Sequence, residues 1–96
     1  MKLRWTRPAL LDLTETQDYI ARDNPLAAQV IGQRIADAAQ RLLQQPYIGR
    51  PGHVAGTREL VVDRSPYLII YRIVGDDIEL LRVWHGRRNW QDAVPG

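Results

Sequence analysis

The run from Thr57 to Trp90, TRELVVDRSPYLIIYRIVGDDIELLRVWHGRRNW, constrains the fold more than any other stretch. It holds three short apolar segments, at about Thr57–Val62, Tyr67–Val74 and Ile78–His85, parted by Arg64-Ser65-Pro66 and by Gly75-Asp76-Asp77. Segments of that length, rich in Val, Ile, Leu and Tyr and bounded by turn residues, predict three strands in an antiparallel meander. Each segment carries one arginine: Arg58, Arg72 and Arg82. A guanidinium among apolar residues is tolerated where it meets water, a ligand or a counter-charge. The expectation is a sheet with one greasy and one basic face, suited to an anionic partner, either a nucleic acid or an acidic protein.

Upstream, Lys2–Trp5 reads as a short first strand, which must join the sheet to be stable. Thr6 is placed to cap a helix, and Pro8 fits its first turn. Leu10, Leu13, Gln17 and Ile20 then recur at helical spacing to about Asp23, leaving Asp12, Glu15 and Asp18 to solvent. Asn24-Pro25 breaks the chain and restarts it. A second helix runs from Pro25 to about Gln45 with a stripe of Ala28, Ile31, Ile35, Ala38 and Leu42. Its alanines permit close approach to the first helix, so the two form an antiparallel hairpin. Pro46–Gly56, PYIGRPGHVAG, reads as a loop. The order β-α-α-β-β-β describes a two-layer α+β domain. At 96 residues a single domain is expected, with 86–96 as a polar tail.

The absence of cysteine excludes disulfides and thiolate metal sites. No signal peptide or membrane span is legible, so the expected location is the cytoplasm. Lys2 is the sole lysine beside twelve arginines, in a chain of net charge +2. Arginine suits carboxylates and phosphates, although GC-rich coding produces the same bias.

The segments WTRPALLDL, DYIARDNP, GTRELVV, YLIIYRI and DIELLRVWHGRRNW, taken together and in this order, resemble the RelE/ParE toxins of bacterial type II toxin–antitoxin modules. The ParE-like branch is the nearer, and the resemblance covers roughly Lys2 to Trp90. It implies a cytoplasmic growth inhibitor, neutralised in a hetero-oligomer by a small, acidic, ParD-like antitoxin. The antitoxin's C-terminal segment would lie along the helical hairpin and the sheet. Leu11, Tyr19 and Val30, off the inward stripes, are candidates for that contact or for the hairpin's own seam. Arg72 and Arg82 are candidates for antitoxin docking as well.

ParE-like members poison DNA gyrase and cut nothing; RelE-like members cut mRNA in the ribosome. The first reading here is a gyrase inhibitor that is not an enzyme and needs no cofactor or metal. His53 and His85, the two histidines, stand in no metal-ligand spacing. The alternative is a metal-independent mRNA endonuclease. Arg58, Arg72 and Arg82 would then supply cations for the phosphate, His85 an acid or base, and Glu59 a base. The nuclease branch tends to carry lysines on the second helix or after it, and a tyrosine near the end of the last strand. This chain has Arg34 and Arg41 instead, and ends that strand Trp84-His85-Gly86. For Arg72 and Arg82 the structural alternative is ion pairing with Asp63, Glu79 or Asp77; for His85 it is a hydrogen-bonded supporting place. In the tail, Arg87, Arg88 and Trp90 are of the types enriched at interface hot spots and are the expected target-binding residues, unless Trp90 folds back on the sheet.

Overall fold

The computed structural model describes residues 1–86. Its elements are β1 (Leu3–Trp5), α1 (Arg7–Ala21), α2 (Pro25–Arg41), β2 (Arg50–Pro51), β3 (Arg58–Val61), β4 (Tyr67–Val74) and β5 (Asp77–His85). The sheet order is β1-β5-β4-β3-β2. The expected α+β fold and β3-β4-β5 meander are present, but the sheet is mixed, because β1 pairs with β5 in parallel. That follows from the hairpin: two helices carry the chain back across one face before β5 arrives beside β1. The loop after α2 also contributes a strand, β2, which pairs with β3 through Arg50 opposite Glu59.

Local signals set the helix starts. The Thr6 hydroxyl accepts from Ala9 N at 3.4 Å and donates to Leu80 O at 2.6 Å, so one side chain caps α1 and ties it to β5. Asn24 Oδ1 accepts from Ala27 N at 3.1 Å at the start of α2. Both helices end earlier than the periodicity suggests, α1 at Ala21 and α2 at Arg41, followed by turn rather than helix. The β4–β5 turn is the two-residue loop Gly75-Asp76, whose positive φ falls on Gly75 alone, as a II′ turn requires.

The core lies between the helices and one sheet face. Ile35, Leu42, Ile69, Tyr71, Ile78 and Leu80 are fully buried there, with Ala28, Ala38 and Ala39 allowing close approach. Leu10, expected in the inward stripe of α1, is exposed; the helix is turned so that Ala9, Asp12 and Leu13 face inward. On the opposite sheet face, hereafter the outer face, Leu68 and Ile70 form a smaller apolar cluster with Val54, Leu81 and Trp84. No helix among the described residues is long and apolar enough to cross a membrane.

Candidate functional site

The arginines of β3, β4 and β5 do not all share a face: Arg72 and Arg82 lie on the outer face and Arg58 on the helix side. Alternation puts Arg58 with Leu60 and Val62 on the helix side, and Arg72 with Leu68 and Ile70 on the outer face. A bulge then breaks the alternation of β5: Ile70 pairs with Arg82 but Tyr71 pairs with Leu80, leaving Leu81 without a partner across the ladder. Arg82 therefore parts from Ile78 and Leu80, with which simple periodicity groups it. The uniform basic face expected from sequence is absent among the described residues.

Each of these cations is occupied within the fold. Arg82 is past the end of β1, and its guanidinium reaches Asp12 on α1. Nε donates to Asp12 Oδ2 at 2.6 Å and Nη2 donates to Oδ1 at 2.8 Å. The same carboxylate accepts from Val83 N at 3.0 Å, so it also terminates the exposed edge of β5. The guanidinium carbon stands 4.4 Å from the centre of the Trp84 ring. These hydrogen bonds hold the Arg82 pKa above its ordinary value against the opposing effect of burial. Asp12, expected in solvent, is thus a buried linchpin, and it pairs with Arg82 in place of the expected Asp63, Glu79 or Asp77.

On the outer face, Arg72 Nε donates to Glu79 Oε1 at 2.7 Å, one of the pairings anticipated for it, and Arg4 pairs with the other oxygen of Glu79. The bond from Arg72 is the largest cause holding the Glu79 carboxyl below its usual range. Glu59 is only 2% exposed. Arg50 Nε and Nη2 donate to its Oε1 at 3.1 and 3.0 Å, and His53 Nδ1 lies 3.2 Å from its Oε2. A carboxylate so enclosed serves as an anchor for the loop rather than as a base open to substrate.

On the helix side, Arg58 Nη1 donates to Gly49 O at 2.7 Å and to Tyr47 O at 3.3 Å. Tyr71, buried beside it, accepts from Gly49 N at 3.0 Å and donates to Pro46 O at 2.7 Å. Burial raises the Tyr71 pKa, so this hydroxyl keeps its proton.

His85 packs edge-on against Tyr67, ring centres 5.6 Å apart. Both line a groove of about 540 Å³ between α1 and the end of β5, whose other walls include Asp12, Glu15, Asp18, Tyr19 and Arg22. Arg72 and Arg82 line a different groove, of about 850 Å³, between the Val54–Thr57 loop and the β4–β5 turn. Neither groove unites His85 with the strand arginines. Leu11, Tyr19 and Val30 are all exposed, but only Tyr19 lines the first groove. Arg87, Arg88 and Trp90 lie outside the described residues. No three His, Asp or Glu side chains among the described residues are grouped as a metal ion would need.

Comparison with known proteins adds an independent line. Residues 3–90 match the family model described as the ParE toxin of type II toxin–antitoxin system, parDE. The chain is 44% identical over 93 residues to the "Putative toxin Y4kP" of Sinorhizobium fredii, covering 97% of this chain and 96% of that one. It is 42% identical over 84 residues to "Toxin RelE2" of Caulobacter vibrioides, covering 88% and 93%. A chain of the chromosomal ParDE TA system from P. aeruginosa superposes with a TM-score of 0.79 at 33% identity, covering 88% of this chain and 95% of that chain.

Proposed function

This chain belongs to the ParE toxin family of type II toxin–antitoxin systems, and from that premise we propose that it arrests growth in the cytoplasm by binding and poisoning DNA gyrase rather than by cutting RNA. One observation carries the choice: of the four groups a nuclease would use, only Arg72 and Arg82 share a groove, and His85 and Arg58 stand apart from them. Phosphodiester cleavage needs a proton-transfer group and cations around a single phosphate. Here Arg58 sits on loop carbonyls on the helix side, Arg72 on Glu79 on the outer face, and Arg82 on Asp12. His85 stands in a different groove, whose charged lining is Glu15, Asp18 and Arg22, with Asp12 already paired to Arg82.

The same premise supplies the partner. The toxin is held by a cognate antitoxin, small and acidic, in a hetero-oligomer. The exposed Leu11, Tyr19 and Val30 offer apolar contacts to an amphipathic segment, and Arg72 and Arg82, each already paired with a carboxylate, line the outer groove as polar contacts. Arg87, Arg88 and Trp90 are the proposed target-binding residues.

The test is to incubate the purified toxin with DNA gyrase, ATP and plasmid. The expected result is loss of supercoiling or trapped cleaved DNA, reversed by antitoxin. Folded toxin that leaves supercoiling intact and cuts mRNA in a translating extract would refute the proposal.

A further inference from the structure

The loop that follows α2 carries an exposed aromatic platform that the reading above does not use. Tyr47 is 68% exposed and Ile48 beside it is 37% exposed. An exposed ring on a loop ordinarily costs entropy to fix on binding. Here the backbone beneath it is already fastened. Tyr71 Oη accepts from Gly49 N and donates to Pro46 O, and Arg58 donates to the carbonyls of Gly49 and Tyr47. The Arg58 guanidinium carbon also lies 5.0 Å from the centre of the Tyr47 ring. Gly49 is required for this closure: a Cβ there would fall 2.7 Å from the Tyr71 ring and 2.9 Å from Glu59 O.

Charge decides the kind of partner. Arg50 is matched by Glu59 and Arg41 by Asp63, whereas Arg58 meets no carboxylate among the described residues. Among the described residues of the platform a single such cation is too few to track a nucleic-acid backbone, whose affinity grows with each phosphate neutralised. A tyrosine, an isoleucine and one arginine on a rigid support suit a protein surface with an acidic residue beside an apolar patch. The platform is also separate from Val30, one of the proposed antitoxin contacts on the hairpin. Val30 precedes Arg41 by about 16 Å along the α2 axis at about 1.5 Å per residue, and the loop lies beyond Arg41.

We propose that Tyr47, Ile48 and Arg58 form a surface by which this toxin grips an acidic patch of its protein target. The assignment rests on the toxin reading above, and separation of function tests it. Tyr47→Ala is compared with wild type for growth arrest on induction, inhibition of gyrase supercoiling and affinity for the antitoxin encoded beside the gene. Because Tyr47 is mostly exposed, the variant folds.

The expected result is a loss of arrest and about a tenfold rise in the toxin concentration needed to inhibit gyrase, as for a hot-spot residue, with antitoxin affinity within about twofold of wild type. Tyr47→Phe keeps wild-type behaviour, and Gly49→Ala, which displaces the loop, reproduces the loss. Wild-type arrest without gyrase inhibition would refute the gyrase reading alone; loss of arrest in Tyr47→Ala would then still support the surface. Tyr47→Ala that arrests growth like wild type at matched soluble levels overturns the inference. A tenfold loss of antitoxin affinity overturns it too, by giving the platform to the antitoxin. A wild-type chain that does not arrest growth overturns both readings.

Discussion

Removing the Asp12 carboxylate is expected to cost more stability than any other single change on the helix surface. The carboxylate accepts two hydrogen bonds from Arg82 and one from Val83 N. The side chains are 10% and 20% exposed, respectively, so neither ion regains full hydration when its partner is lost. Breaking a buried pair from one side costs about 3–5 kcal/mol, chiefly by stranding the remaining charge. Stranding Val83 N–H adds about 1 kcal/mol or more. Against this, Arg82 lines the outer groove and stacks on Trp84, so its head can turn toward water. About 3 kcal/mol for Asp12→Ala is the reasoned figure, low in the range because of that escape.

In a domain of this size such a loss lowers Tm by about 15 °C. Asp12→Asn retains one acceptor oxygen and is expected to cost about half as much, roughly 1.5 kcal/mol. Arg82→Met removes the stranded charge, so adding it to Asp12→Ala recovers stability, with a coupling energy of about 2 kcal/mol in a double-mutant cycle. Urea and thermal unfolding followed by circular dichroism supply these quantities. A cost below about 0.5 kcal/mol for Asp12→Ala, the level of an ordinary surface change, would refute the reasoning.

Other expectations follow from the same contacts. Glu79 has a folded pKa held below its ordinary 4.5, mainly by Arg72, so its contribution to stability is full above that value and is lost as pH falls through the folded value. Glu79→Gln should therefore be less stable than wild type at neutral pH and converge with it in acid; parallel Tm–pH curves would count against the pairing. Tyr71→Phe strands the buried Gly49 N–H and is expected to cost about 2 kcal/mol, read from urea midpoints. Tyr19→Ala and Val30→Ala should each weaken antitoxin binding several-fold in calorimetry while shifting Tm by only a few degrees, since both side chains are exposed in the free chain. Unchanged affinity in both would remove the hairpin from the antitoxin interface.

What was legible in the sequence was what periodicity and caps encode. The stripe Ala28, Ile31, Ile35, Ala38, Leu42 faces inward, with Ile31 partly buried, and Thr6 and Asn24 cap as their types suggest. The Arg72–Glu79 pair was readable because both residues lie on one hairpin whose turn fixes their register. The Pro46–Gly56 segment read as featureless, since its order comes from Tyr71, Arg58 and Glu59, residues outside the segment that reach in from two strands. Its punctuation by proline and glycine signals a turn, and nothing local announces a platform.

The Asp12–Arg82 pair shows where sequence reasoning meets its physical limit. The two residues are 70 apart in the chain, and their meeting depends on a bulge at Leu81. In a regular strand Arg82 would fall on the same face as Ile78 and Leu80, directed into the core, where an unpaired guanidinium is forbidden by its hydration energy. The inserted residue removes that conflict: it returns Val83 to the core face and sends Arg82 past the end of β1, where α1 presents a carboxylate. An arginine in step with core residues along a strand, as Arg82 is with Ile78 and Leu80, is therefore itself a signal of a bulge. The same arrangement bears on function. A cation committed to two bonds with Asp12, in a groove apart from His85, is positioned to shape a binding surface rather than to neutralise a phosphate under attack.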